Sequence, residues 1–215
     1  MNKESQQEDS KASKIKEIAK FISFLFDGSV LCIPILLSVF FAEKGEIIKK
    51  LPSFSVFFIF LILIPYSFIL YLYKRKKIHD LYMLKRKERI IPLIFINLSV
   101  IAGFLILLFM QSTRLFSTIY MIYLIVLVVL SIITIFWKIS FHTSYVTIFS
   151  IVFVTIYGKW ALFTIILIPL MIWARVELKR HTWAQTISGV IITGLISIAV
   201  LHLKGFNIPI RNLLK

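Results

Sequence analysis

The sequence has few acidic residues and very little cysteine, glycine or proline. Its 215 residues include 10 Asp and Glu, 7 Gly, 6 Pro and one Cys. The single Cys32 excludes a disulfide within the chain and a zinc site built from several cysteines. Only 16% of the residues are charged, whereas soluble domains have roughly 25%. With 59% hydrophobic residues, this composition excludes an ordinary soluble domain and indicates a protein that lies in lipid.

Most of the sequence consists of long apolar runs. A helix needs about 20 residues to cross the roughly 30 Å of hydrocarbon in a bilayer. Seven runs approach or reach that length: 21–42, 54–73, 91–110, 115–137, 141–157, 160–174 and 183–203. They predict an all-α, polytopic membrane helix bundle of about seven spans. We expect one membrane domain, 21–203, between a polar N-terminal tail or interfacial helix, 1–20, and a short basic C-terminal tail, 204–215.

The fifth and sixth runs are short, and the break between them decides the topology. One continuous helix from 141 to 174 would bury Lys159 near its middle, which costs several kcal/mol. We therefore expect two separate crossings, joined at Gly158 and Lys159.

The positive charge of the chain, +15 in total, sits between the apolar runs. A soluble nucleic-acid-binding domain would instead gather it on one face, so we expect no nucleic-acid partner. If each run crosses once, 17 Lys and Arg lie on the side of the N-terminal tail and 8 lie on the other. The positive-inside rule then places the first side in the cytoplasm.

Three polar segments at membrane boundaries lie on this cationic side. They are 79–92, 138–144 and 175–189. Each holds a cation, and the last two add His142 and His181. Guanidinium groups combined with hydroxyl or amide donors suit phosphate. The three segments therefore predict a shallow phosphate pocket.

Arg175, His181 and Gln185 in the third segment carry a resemblance to a known family. The chain resembles the type 2 phosphatidic acid phosphatase superfamily, whose signatures are Lys-x6-Arg-Pro, Pro-Ser-Gly-His and Ser-Arg-x5-His-x3-Asp. The third signature, with Gln in place of Asp, is most similar to the dolichyl-diphosphatase and glucose-6-phosphatase branches. Ser140 and His142 match the second signature. The resemblance implies a six-helix core, to which this chain adds an N-terminal helix.

The first two signatures are degenerate. In the second, Ile139 and Phe141 replace the proline and the glycine. Glycine would let the backbone approach a phosphate closely, whereas Phe141 adds bulk that narrows or closes the pocket. In the first, two extra residues separate Arg89 from its proline, and Tyr82 stands where the lysine belongs. Lys85 is the substitute we favour, although a solvated loop cation is the simpler interpretation.

The spacing of His181 and Gln185 has a physical meaning of its own. Residues i and i+4 share one helix face, so the Gln185 amide oxygen can hold one ring nitrogen of His181 as N–H. The other ring nitrogen can then attack phosphorus, as in other pairs of nucleophile and orienting group.

The resemblance assigns roles to the remaining residues. It implies that His181 forms a phosphohistidine, that Gln185 orients it, and that His142 protonates the leaving alkoxide. It also implies a phosphate-binding set comprising Arg175, Arg89, Ser140 and Lys85. No metal and no other cofactor is expected. The expected substrate is a lipid phosphate monoester or a diphosphate, of the phosphatidate or polyprenyl type.

Two other functions fit the same sequence. A non-catalytic lipid-binding or scaffold protein of this architecture would explain Ile139, Phe141 and the missing first-signature lysine. A transporter is the third possibility, for which the short runs 141–157 and 160–174 are the sole indication.

Overall fold

The computed structural model describes residues 3–81, 83 and 85–206. The position of Tyr82 and most of the predicted basic tail, 204–215, therefore lie outside the described residues. Every regular element in the described part is helical. The nine α-helices are α1 (Lys3–Leu25), α2 (Gly28–Ala42), α3 (Ile47–Phe58), α4 (Ile64–Lys74), α5 (Ile90–Phe109), α6 (Arg114–Phe136), α7 (Phe141–Tyr157), α8 (Leu167–Glu177) and α9 (Trp183–Leu203). A π-helical turn, Ile59–Leu63, joins α3 to α4, and 3₁₀ helices Arg86–Arg89 and Gly158–Ile166 precede α5 and α8.

Six helical stretches of the described chain are long and apolar enough to cross a membrane. They are Ser13–Ala42, Ile47–Lys74, Arg86–Phe109, Arg114–Phe136, Phe141–Glu177 and Trp183–Leu203. Large apolar side chains such as Phe109 and Leu203 point outward from them, as expected where lipid replaces water as the solvent. The chain is therefore an all-helical integral membrane protein.

The first of these stretches is broken close to its middle. The run 21–42, predicted as one span, contains the last residues of α1, a turn at Phe26 and Asp27, and all of α2. The Asp27 carbonyl accepts from the Leu31 N–H and so begins α2. The segment 1–20 is helical from Lys3 onward, and α1 packs on α8 while α2 packs on α7.

The fifth stretch folds back on itself at Gly158. This glycine has φ 64°, a left-handed value that side chains disfavour. Beyond it the chain returns along α7, where the Ser150 hydroxyl donates to the Thr164 carbonyl over 2.9 Å. The 3₁₀ helix rises about 2.0 Å per residue, so its 9 residues and the 11 of α8 reach about 34 Å.

Pro65 explains the π-helical turn between α3 and α4. Proline has no N–H, so a carbonyl one turn earlier loses its partner. The Ser99 hydroxyl of α5 donates to the Phe60 carbonyl within that turn, over 2.9 Å. Neighbouring helices commonly satisfy such groups in membrane proteins. The proline thus bends the second stretch and fixes its contact with α5.

Helices α7 and α9 are in close contact near their N-termini. A Cβ on Gly189 would lie 2.8 Å from both the Ser140 carbonyl oxygen and the Thr143 hydroxyl. Thr143 donates to the Thr186 carbonyl over 3.1 Å, and Ser144 donates to the Gly189 carbonyl over 3.2 Å. These contacts bring the second and third polar segments together at one end of the bundle.

Candidate phosphate site

The third signature folds into two helix caps with His181 between them. Helix α8 ends in a Schellman motif, because the Arg180 N–H donates to the Arg175 carbonyl and the Lys179 N–H to the Val176 carbonyl. Lys179 takes the left-handed conformation that this motif needs, with φ 53°. The five residues between Arg175 and His181 thus form the end of α8 and the turn that follows it.

Helix α9 begins with a capping box. The Thr182 hydroxyl accepts from the Gln185 N–H over 3.3 Å, and the Gln185 amide oxygen accepts from the Thr182 N–H over 3.2 Å. The same amide oxygen lies 3.2 Å from Nδ1 of His181. The predicted contact between Gln185 and His181 is therefore present, and Gln185 caps the helix as well.

The imidazole of His181 is buried among cations. Its residue is 6% exposed. Burial, followed by the charges of Arg175, Arg89 and Lys138, lowers the pKa of His181 from its usual 6.5 to about 2. The ring is neutral at physiological pH, and Nδ1–H donates to Gln185. Nε2 then keeps its lone pair, which is the form a nucleophile requires.

Two buried guanidinium groups approach the same end of the bundle from different helices. Arg175, 1% exposed, donates to the Ser23 hydroxyl of α1 over 2.8 Å. Arg89, 6% exposed, donates to the Met83 carbonyl over 2.7 Å and to the Ile139 carbonyl over 3.5 Å. Arg89 therefore holds the loop before α5 against the second signature.

Lys138 is a third cation at this end, and it was absent from the predicted site. Burial lowers its pKa, and the charges of Arg89, Arg175 and Arg180 lower it further. These four like charges are close enough to disfavour one another. Lys138 stands two residues before Ser140, and Arg180 immediately precedes His181. Their nearness in sequence to the second and third signatures could therefore have identified both cations.

Ser140 and His142 of the second signature have different surroundings. Ser140 is fully buried and caps α7, its hydroxyl accepting from the Thr143 N–H over 3.5 Å. Its main function in the structure is this N-cap. His142 is partly exposed, and its Nε2 lies 3.0 Å from the Asp27 carboxylate. Asp27, at the break between α1 and α2, was also absent from the predicted site, although an acid within an apolar run is itself a functional signal.

Lys85 does not join this group. Its side chain is 72% exposed, and its ammonium lies 3.9 Å from Glu88. Glu88 in turn lies 2.9 Å from Nδ1 of His79. The prediction that favoured Lys85 as a phosphate ligand therefore has no support in its position, because the loop directs this side chain toward solvent.

A cavity of about 320 Å³ opens beside these groups. Arg89, His142, His181 and Asp27 line its polar end. The remaining walls are mostly apolar and come from α2, α4, α5, α6 and α7, including Cys32, Pro65, Leu93, Ile96, Val100 and Leu127. Along α5 the lining extends from Arg89 to Val100, about 16 Å at 1.5 Å per residue.

Phe141 lines the cavity instead of closing it. Its ring packs near Tyr145 at a centroid distance of 6.4 Å. The bulk that replaces the signature glycine therefore forms part of the apolar wall, next to His142.

Comparison with family models, with curated proteins and with solved structures found no match to this chain. The resemblance to the phosphatase superfamily accordingly rests on the residues quoted above.

Proposed function

We propose that this protein is a membrane lipid phosphatase of the type 2 phosphatidic acid phosphatase kind, which needs no metal. The observation that carries the proposal is the composition of one cavity. His181, His142 and Arg89 line its polar end, and apolar side chains line most of the rest. A ligand with a phosphate at one end and a hydrocarbon chain at the other matches both parts.

The proposed reaction has two steps. The lone pair on Nε2 of His181 attacks phosphorus, a P–N bond forms, and the P–O bond to the lipid breaks. His142 gives a proton to the leaving oxygen. A monoester thereby loses its lipid alcohol, and a diphosphate loses a lipid monophosphate. Water then attacks the phosphohistidine, His142 takes the proton from that water, and the P–N bond breaks to release phosphate.

The cations supply the electrostatic part of the proposal. Arg89, Arg175 and Lys138 would neutralise the oxygens around phosphorus as negative charge builds up there. Because these like charges repel one another, binding of an anion among them would be favourable. A bound phosphate would also raise the pKa of His181, because it offsets the charges that lower it.

The apolar walls favour a lipid over a soluble phosphate ester. The lining of about 16 Å along α5 accommodates part of an acyl or prenyl chain. Substrates of the phosphatidate or polyprenyl diphosphate type therefore fit the proposal. They would enter from the bilayer with their head groups at the boundary.

We also propose seven crossings, with the site at the cytoplasmic boundary. The return of the chain at Gly158 supports two passes within the stretch Phe141–Glu177. The bias of 17 cations against 8 then orients the bundle. Labelling of single cysteines at the exposed positions 77 and 159, in a Cys32→Ser background, tests this topology, since only the first should react from the cytoplasm.

Turnover by purified protein tests the function. In detergent with a chelator present, the parent protein should release phosphate from phosphatidic acid or undecaprenyl diphosphate, and His181→Ala should abolish that release. His202→Ala is the matched control, because His202 is exposed at the far end of α9. Equal phosphate release by the parent and by His181→Ala would refute the proposal.

A second function is favoured by Phe141. Its ring occupies cavity wall where the family signature has glycine, which suits a protein that binds a lipid phosphate without hydrolysing it. Saturable binding of phosphatidic acid with no phosphate release from any substrate in a broad panel would select this function.

A further inference from the structure

The corner between α1 and α2 reaches the two signature helices at two points. Ser23 accepts a hydrogen bond from Arg175 over 2.8 Å, and Asp27 lies 3.0 Å from Nε2 of His142. Asp27 and His142 also both line the polar end of the cavity. The N-terminal segment is therefore part of the site wall and not an addition beside it.

Close packing brings the Asp27 carboxylate to this position. The next residue, Gly28, begins α2, and a Cβ there would lie 2.1 Å from the Tyr145 ring. Glycine thus lets the start of α2 come against α7, one helical turn beyond His142. A carboxylate beside imidazole fixes the ring orientation and stabilises the protonated form.

We infer that Asp27 is a positioning residue, which orients His142 and stabilises the protonated form that it takes when it transfers a proton to the leaving group. This inference rests on the proposed phosphatase function. Nε2–H of His142 donates to Asp27, and the proton on the other ring nitrogen passes to the leaving oxygen as the P–O bond breaks. Asp27 itself neither gains nor loses a proton.

The effect of an Asp27 variant on substrates with different leaving groups distinguishes this positioning role from a purely structural one. An alkyl phosphate releases a strongly basic alkoxide, which needs the proton, whereas a nitrophenyl phosphate releases a weakly basic phenoxide, which does not. The two substrates can carry alkyl chains of equal length, so that both make the same contacts with the apolar part of the cavity.

The experiment measures kcat/KM for both substrates with the full chain in detergent. Asp27→Asn should lower the value for the alkyl phosphate by about 10- to 100-fold and that for the nitrophenyl phosphate by less than about threefold. In a His142→Ala background, Asp27→Asn should add little further loss. Asp80→Asn is the matched control, because Asp80 lies at the same end of the bundle but does not line the cavity.

A second variant covers the case in which Asp27→Asn does not fold. Gly28→Ala keeps the carboxylate but forces α2 and the Tyr145 ring apart, so it should produce the same selective loss. An equal loss on both substrates, or no loss, overturns the role of Asp27 while leaving the phosphatase proposal intact. If the parent hydrolyses neither these substrates nor the lipids, the function itself is wrong and the inference falls with it.

Discussion

The two ends of the helix bundle use their cations in different ways. At the end opposite the cavity, Lys50 donates to the Phe40 carbonyl over 3.1 Å at the close of α2, and Arg114 donates to the Lys204 carbonyl just beyond α9. Cations at helix C-termini are favourable because they meet the negative end of the helix dipole. Each of these two charges is therefore explained by the helix end that it caps.

At the cavity end, the cations gather around one another. Arg89, Arg175 and Arg180 all lower the pKa of Lys138, and the first two also act on the buried ring of His181. Such crowding is unfavourable until an anion occupies the site. The number of charges in each loop predicts the topology, but it does not show whether those charges cap helix ends or crowd one another. Their positions in the structure show this difference.

Removing one guanidinium from each end should give the largest contrast. Arg175→Gln should lower kcat/KM for a lipid phosphate by about 10²- to 10³-fold, because a donor to the charged transition state is lost. Arg114→Gln should change it by less than about threefold. Steady-state assays on the two purified variants make the comparison, and equal losses would show that Arg175 has no special part in turnover.

Two glycines of α9 offer a matched test of the packing that forms the site. Gly189→Ala places a methyl group 2.8 Å from the Ser140 carbonyl oxygen, whereas nothing lies within 4 Å of a Cβ on Gly194. The first variant should lose about 1–3 kcal/mol of unfolding free energy. Gly194→Ala should be neutral or gain up to about 1 kcal/mol, since alanine favours the helix. Unfolding in mixed micelles measures both, and the close approach of α7 and α9 is wrong if Gly189→Ala is as stable as the parent.

Two lysines of the cationic side should also differ. Lys138→Ala should weaken inhibition by inorganic phosphate about tenfold, because Lys138 shares the field of the arginines. Lys85→Ala should weaken it by less than about twofold, since its side chain is 72% exposed and faces Glu88. Inhibition constants at one fixed ionic strength give the comparison. A larger effect at Lys85 would restore the prediction made from the first signature.

Acidification should reveal the neutral state of His181. In the folded protein its pKa is lowered to about 2, whereas the unfolded chain takes up the proton near pH 6.5. The folded state therefore loses stability as the pH falls below about 6.5, by about 1.4 kcal/mol at pH 5.5. His181→Asn should remove this part of the pH dependence, and His202→Asn should not. Unfolding curves at pH 7.5 and 5.5 provide the test, and an unchanged pH dependence in His181→Asn would contradict the lowered pKa.

Local sequence rules predicted the parts of the site that lie within one turn of a helix. The i, i+4 spacing of His181 and Gln185 predicted their contact, although His181 lies before α9 and the contact crosses the N-cap at Thr182 instead of following a helix face. The polar break at Gly158 predicted a division of the fifth stretch. Ser140 caps α7, a role that serine at a helix start commonly has, and its contact with phosphate stays a prediction.

Contacts between distant segments could not be predicted in this way. Asp27 and His142 are 115 residues apart, and no periodicity within either helix links them. The path of the loop before α5, which places Lys85 beside Glu88 and in solvent, likewise depends on contacts that the local sequence does not contain. The break at Asp27 was visible as an acid in an apolar run, but the length of that run favoured a single span.

Trapping the covalent intermediate is the most direct test of whether His181 forms a phosphohistidine during turnover. The parent protein is mixed with a lipid whose transferable phosphate carries ³²P and is quenched in alkali, in which a P–N bond survives. We expect label on the parent at His181, located by peptide mapping, with none on His181→Ala and full labelling of His202→Ala. Substrate turnover by the parent with no labelled histidine, or with equal label on His181→Ala, would contradict this expectation.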